Sequence, residues 1–291
     1  MVDSHTTRAS DSGTLYVVAT PLGNLEDITL RALRILKEVD LIAAEDTRHS
    51  RKLLAHYGIG TPLTSYYDAI ERQKAPQLVA ELRRGKRVAL ISDAGTPGIA
   101  DPGYHLIQAA IAAGIRIEAI PGPSAVAAAL SVAGLPTDRF TFEGFVPARP
   151  GARRAFFAAL APEPRTLVVY ETARRLAACL HDLRELFGDR RVVIVRELTK
   201  VFEEILRGPV AELEERLRAT PVRGEVTLLI AGAATPPPAP SLEDLDAAIE
   251  RLRATGLHLK EIARTLARER GIARRDVYQR GLALGHADDQ R

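Results

Sequence analysis

The chain has one cysteine, Cys179, in 291 residues. A single thiol excludes an internal disulfide framework and a multi-cysteine metal site. Cys179 lies in the apolar helical stretch from Leu176 to Leu180, which suits a small core residue. Long apolar runs are also missing, and none approaches the roughly 20 residues that a membrane helix needs. Residues 1–13 (MVDSHTTRASDSG) are polar, lack the apolar segment of a secretory signal, and read as a disordered leader. The seven histidines form no metal-ligand cluster, so no metal is expected. These absences predict a cytoplasmic location and no membrane partner.

What is present is an ordinary globular composition, 46% hydrophobic and 26% charged, in a chain long enough for two cores. The net charge is only +3, but it is unevenly placed. Between Arg251 and Arg280 stand nine basic residues against three acidic ones, a local excess of six positive charges. A basic C-terminal segment on a nearly neutral body suggests a polyanionic partner, the alternative being a solvated helix surface.

Aliphatic runs alternate with helical periods through most of the chain. Strand-like runs are Leu15–Ala19, Leu41–Ala44, Val88–Ser92, Ile115–Ile120, Thr166–Tyr170, Arg191–Arg196 and Val226–Ala231. Ala32, Ile35, Leu36 and Val39 follow helical spacing, as do Ala75, Leu78, Val79 and Leu82. The pattern predicts an α/β protein with parallel-rich sheets covered by helices on both faces. Pro and Gly after Ile120 predict a hinge, hence one α/β domain over 14–121 and a second over 122–233. The proline run in 234–241 reads as a stiff linker. Residues 242–291 then read as a basic, all-helical, helix-turn-helix-like module, with apolar stripes at Leu245, Ala248, Ile249, Leu252 and at Leu259, Ile262, Ala263, Leu266.

Four loops follow strand-like runs, where α/β proteins hold ligands. Thr20-Pro21-Leu22-Gly23-Asn24 has a single glycine and matches neither a dinucleotide fingerprint nor a P-loop. Glu45-Asp46-Thr47-Arg48 puts charge at a buried strand end, where Asp46 or Thr47 either caps a helix or faces a cleft. Ser92-Asp93-Ala94-Gly95-Thr96-Pro97-Gly98 lets a ligand approach its main chain closely. In Pro121-Gly122-Pro123-Ser124-Ala125, Ser124 is either a cap or a ligand contact.

With LYVVATPLGNLEDITLRAL, AEDTR, ISDAGTPGIADPG and IPGPSA at these intervals, the chain resembles the tetrapyrrole-methylase superfamily of class III methyltransferases. The resemblance covers residues 14 to 285. Its ATPLGN, SDAGTPG and PGPSA strings are similar to the branch that methylates the ribose 2′-hydroxyl of a decoding-region cytidine in 16S rRNA of the small ribosomal subunit. It implies two α/β domains, S-adenosylmethionine folded up in the cleft between them, and a homodimer. It places donor contacts on Pro21, Leu22, Ile91, Ser92, Asp93, Thr96, Ser124, Ala125 and Glu171, with a further one near Gly208. After Ser65-Tyr66 the chain departs from the branch: Tyr67 to Glu71 replace a run containing His and Asn, so no catalytic role is carried over there.

Methyl transfer from a sulfonium to a hydroxyl is an in-line displacement. Alignment of the two groups supplies on the order of 7–11 kcal/mol of the barrier, and a general base a further factor of about 10²–10⁴. The candidate catalytic residues are the carboxylates Glu45 and Asp46, Lys200 if its pKa is lowered, and Arg48 as a phosphate clamp. Pairing of Glu45 or Asp46 with Arg48 is the structural alternative, and for Lys200 it is an ion-paired edge within Glu197–Glu204. Asp93 reads as a donor-binding group. Two rivals stand beside this reading: a tetrapyrrole or other small-molecule methyltransferase on the same fold, and a non-catalytic RNA-binding or assembly protein. A macrocycle substrate needs no basic tail, and a disused cleft needs no Gly and Pro at these points.

Overall fold

Alternating aliphatic and amphipathic segments build two five-stranded sheets in the computed structural model, which describes residues 13–219, 224–234, 242–270 and 272–288. Residues 1–12 of the expected leader and 235–241 of the expected linker lie outside the described residues. Two compact units emerge, 1–233 with both sheets and 234–291 with the last three helices.

The first sheet holds β1 (Thr14–Val18), β2 (Leu41–Ala44), β3 (Leu63–Ser65), β4 (Val88–Ile91) and β5 (Arg116–Ile120), in the order β3-β2-β4-β1-β5. Every pairing is parallel. Strand β4, Val-Ala-Leu-Ile, is buried at each position because it lies inside the sheet with helices on both faces. Helices α1 (Leu30–Glu38) and α2 (Thr47–His56) cover one face through Ala32, Ile35, Leu36, Leu53 and Leu54. Helices α3 (Glu71–Arg83) and α4 (Tyr104–Ala112) cover the other through Ala75, Leu78, Leu82, Leu106 and Ala110.

The second sheet comprises β6 (Phe140–Phe145), β7 (Thr166–Thr172), β8 (Arg191–Arg196), β9 (Glu204–Pro209) and β10 (Glu225–Ile230), in the order β6-β7-β10-β8-β9. Here the parallel expectation fails. Only β6 and β7 are parallel, while β7–β10, β10–β8 and β8–β9 are antiparallel. The short stretch between β8 and β9 has no room for a crossover helix, so β9 must turn back. Helix α5 (Ala125–Ala133) packs Val126, Ala129 and Leu130 on one face of this sheet. Helices α6 (Pro150–Leu160), α7 (Ala173–Phe187) and α8 (Val210–Ala219) cover the other. Cys179 is fully buried there beside Phe157 and Leu176, and burial pushes its thiol well above the ordinary range, leaving it inert.

The second unit packs α9 (Leu242–Ala254), α10 (Leu259–Arg270) and α11 (Arg274–Asp288) around Leu245, Ala248, Ile249, Ile262, Ala263, Leu266 and Val277. Arg280 closes it with a bidentate pair to Asp246 at 2.7 and 2.6 Å. Lys260, Arg264 and Arg268 are exposed at successive fourth positions, one face of α10. Among the described residues, no helix is long and apolar enough to cross a membrane.

Candidate active site

The loops at the carboxyl ends of β1, β4 and β5 are tied together by main-chain contacts. Thr20 and Gly95 exchange both N–H···O bonds at 2.8 and 3.0 Å, and the Thr20 hydroxyl donates to the Ser92 carbonyl at 3.0 Å. The Thr96 hydroxyl donates to the Pro123 carbonyl at 3.1 Å. Gly95 holds φ of +79° where a Cβ would meet Leu22 at 3.3 Å, so both its backbone and its missing side chain are used. The first loop also touches the second sheet's connection. Asn24 N–H donates to the Thr199 hydroxyl at 3.1 Å, and a Cβ on Gly23 would lie 2.2 Å from Lys200 Cγ.

Between the sheets lies a cavity of about 370 Å³, within the range of small-molecule sites. From the first half it is lined by Leu22, Glu45, Asp93 to Thr96, Ile99, Asp101, Ser124 and Ala125. Across from them are Phe145, Tyr170 to Thr172, Val195, Leu198 and Glu225 to Thr227. The antiparallel order explains this second wall: β10 starts where β7 and β8 end, so its first residues join their last ones.

Glu45, Asp93, Asp101, Glu171 and Glu225 all line the cavity, and among the described residues no Lys, Arg or His does. Glu171 Oε1 accepts from Thr172 N–H and Arg175 Nε, at 2.6 and 2.7 Å. Its other oxygen is buried and has no hydrogen-bond partner among the described residues. The carboxylates of Glu45, Asp93, Asp101 and Glu225 around the cavity suit a ligand bearing hydroxyl or ammonium groups. Desolvation, then repulsion from Glu45, pushes the Asp101 carboxyl up to about 7, with Asp93 and Asp68 adding to the rise and the Ser92 hydroxyl opposing it. Burial raises Glu45 as well, against one bond from Asp93 N–H at 3.3 Å.

Of the sequence-predicted donor contacts, Leu22, Asp93, Thr96, Ser124, Ala125 and Glu171 line the cavity. Ile91 and Ser92 are buried behind the third loop, and Pro21 is buried in the first. Ser124 stands at the start of α5 without making a side-chain cap, which leaves its hydroxyl for the cavity. Gly208 does not line it. Because β9 runs antiparallel to β8, Gly208 pairs with Val192 at the start of β8, whereas Val195, nearer the end of β8, faces the cavity.

Among the candidate catalytic groups only Glu45 reaches the cavity. Asp46 caps α2 through Arg48 N–H at 2.8 Å and pairs with the Arg48 guanidinium at 3.0 Å. That pairing lowers the Asp46 carboxyl to about 2, so it is a poor base, and Arg48 is exposed. Burial opposes the charge on Lys200, but Glu225 and Glu197 at 3.0 and 3.2 Å outweigh it and raise its pKa. This is the reverse of what a basic lysine requires. The residue that sequence reasoning missed is Asp101, present in the GIADP string but lacking any local pattern that sets it apart.

The sequence profile of the family Tetrapyrrole (Corrin/Porphyrin) Methylases matches residues 14–214. A ribosomal RNA small subunit methyltransferase I from Pseudomonas aeruginosa is 47% identical over 274 residues, 93% of this chain and 97% of that protein. The protein of the same name from Escherichia coli O157:H7 is 45% identical over 284 residues, 96% and 98% of the two chains. Among solved structures, a uroporphyrin-III-C-methyltransferase from Thermus thermophilus superposes with a TM-score of 0.54 at 26% identity, covering 75% of this chain and 94% of its own. A cobalt precorrin-4 methyltransferase does so at 0.57 and 21% identity, covering 80% and 100%, which shows the fold. The chain therefore belongs to the tetrapyrrole (corrin/porphyrin) methylase family and is a methyltransferase on the branch of the ribosomal RNA small subunit methyltransferases I.

Proposed function

We propose that the chain methylates the ribose 2′-hydroxyl of a decoding-region cytidine in 16S rRNA, with S-adenosylmethionine bound in the cavity between the two sheets. The observation that carries the donor assignment is a cavity bordered by Glu45, Asp93, Asp101 and Glu225, with no Lys, Arg or His among its described lining residues. That wall suits a cationic ligand rich in hydrogen-bond donors. The donor supplies a methyl group already activated on a sulfonium.

The chain's own residues do the rest. Leu22, beside Pro21, and Ala125 offer apolar contact, while Ser124 and Thr96 offer polar groups. Ile91 and Ser92 hold the third loop from behind, and Asp93, steadied by Asp46 N–H at 3.0 Å, presents a carboxylate to the donor. The acidic cavity repels phosphates, so the RNA backbone stays outside and only a sugar edge enters. The exposed row Lys260, Arg264 and Arg268 supplies the attraction that the cavity lacks. This reading includes a homodimer acting on small subunits in the cytoplasm.

Calorimetry with S-adenosylmethionine tests the donor site, and absence of binding refutes it. Small subunits from cells lacking the gene, incubated with methyl-tritiated donor and digested to nucleosides, are expected to yield labelled 2′-O-methylcytidine. Label appearing only in a tetrapyrrole precursor overturns the RNA assignment.

A further inference from the structure

The segment that carries the chain from β8 to β9 departs from ordinary turn chemistry. Two successive tight turns make it. Lys200 N–H donates to the Glu197 carbonyl at 2.9 Å, and Glu203 N–H donates to the Lys200 carbonyl at 3.0 Å. Tight turns favour Gly, Asn, Asp, Pro or Ser at their centres, yet the second is centred on Val201 and Phe202. Both side chains stand in solvent, 94% and 73% exposed. The first turn is strained, with Glu197 at φ of +50° and Thr199 at +65°, left-handed conformations that residues with a Cβ seldom adopt. The rest of the segment is pinned. Thr199 N–H donates to Glu203 at 2.6 Å, the Thr199 hydroxyl accepts Asn24 N–H at 3.1 Å, and Lys200 bridges Glu197 and Glu225 at 3.2 and 3.0 Å. An apolar pair on a pinned turn is a surface prepared in advance, because little freedom is left to lose on contact.

The place of the turn narrows what it meets. Leu198 and Glu225 line the cavity, and Lys200 lies against Gly23, next to Leu22 on the opposite wall. The tip therefore stands near the cavity rim, on the approach of a substrate strand. Lys200, the only cation from 197 to 203, is engaged by two carboxylates, so the tip is no phosphate site. What remains of a nucleotide is its base, whose faces are flat and apolar. A second copy of the chain fits less well: an aromatic side chain buries about 150–250 Å², against roughly 800 Å² per partner in a stable interface. We infer that Phe202 is a stacking platform for an unpaired nucleobase adjoining the target nucleotide, with Val201 flanking it; this rests on the RNA-methylating reading above. The base on the ring sets the register of the strand, and so which ribose reaches the cavity. Every base has a π face, so the platform selects an unpaired strand rather than a particular base.

The test is methyl transfer to unmethylated small subunits. Phe202→Ala should raise KM for the subunits roughly 5- to 100-fold, the worth of one stacked base, with kcat and donor affinity kept. Phe202→Tyr, which restores a ring, should return KM to within about threefold of wild type, whereas Phe202→Leu should not. The salt dependence of KM should be the same in wild type and Phe202→Ala, because no phosphate contact is lost; a weaker one overturns the inference. With p-benzoylphenylalanine at position 202, irradiation on small subunits should crosslink the chain to 16S rRNA within a few nucleotides of the methylated ribose. An unchanged KM in Phe202→Ala overturns the inference, as does recovery by Phe202→Leu or a loss confined to kcat or donor affinity. So does crosslinking only to a second copy of this chain. A wild type that transfers no methyl group to small subunits overturns the RNA reading instead.

Discussion

Glu71 is a single side chain with two duties. Its carboxylate is buried and accepts Gly103 N–H at 2.9 Å and His105 N–H at 3.4 Å, the first donors of α4, which begins at a glycine with no side chain to cap it. Replacing it leaves those amides without an acceptor, so Glu71→Ala is expected to cost about 1–3 kcal/mol in chemical denaturation. Glu71→Gln, which keeps an acceptor oxygen, should cost less than half of that. At this scale the sequence was partly legible. Asp93 and Glu45 follow buried strands and Glu171 stands near the end of one, so all three were open to selection on that ground with the family resemblance. Asp101 was not, because its distinction is the company of Glu45 and Asp93, which come from two other strand ends and meet only in the folded chain.

Elements buried on both faces announce themselves in sequence, and elements at an edge do not. Strands β1, β2 and β4 stand out as aliphatic runs, whereas β3 is only Leu-Thr-Ser and β9 is half polar at the margin of its sheet. Strand direction in the second sheet depends on which connections lack room for a crossover, and no periodicity reports that, so the sequence gives no sign that Gly208 pairs at the start of β8, away from the cavity lining. Helix α10 was legible in both its buried stripe and its charged face. If that face meets RNA, Arg264→Ala with Arg268→Ala should lower affinity for the small subunit about tenfold and reduce the salt slope by roughly one to two. Donor affinity should be unchanged, as calorimetry can check. An unaltered salt dependence would show that the row is merely solvated.

The molecule as a whole carries its cavity's electrostatic cost. Asp101 protonates near 7 in the folded chain but near the ordinary carboxylate value of about 3.9 when unfolded. Between those limits the folded state binds the extra proton, so this group's contribution to stability falls as pH rises from about 4 to about 7 and then levels off. Asp101→Asn removes that loss. Its melting temperature should match the wild type near pH 4 and exceed it by a few degrees at pH 8. The opposite sign belongs to Asp46 and Glu163, lowered to about 2 by Arg48 and Arg165. Their contribution is present above about 4 and is lost as pH falls toward 2.

The contacts of Gly23 with Lys200 and of Asn24 with Thr199 have a mechanical consequence. The chain already joins the two halves at residues 120–124, and these contacts join them a second time. Opening the two halves as a jaw therefore requires breaking the Asn24–Thr199 bond and withdrawing Lys200 from Gly23, so ligand exchange by that route carries the loss of both contacts.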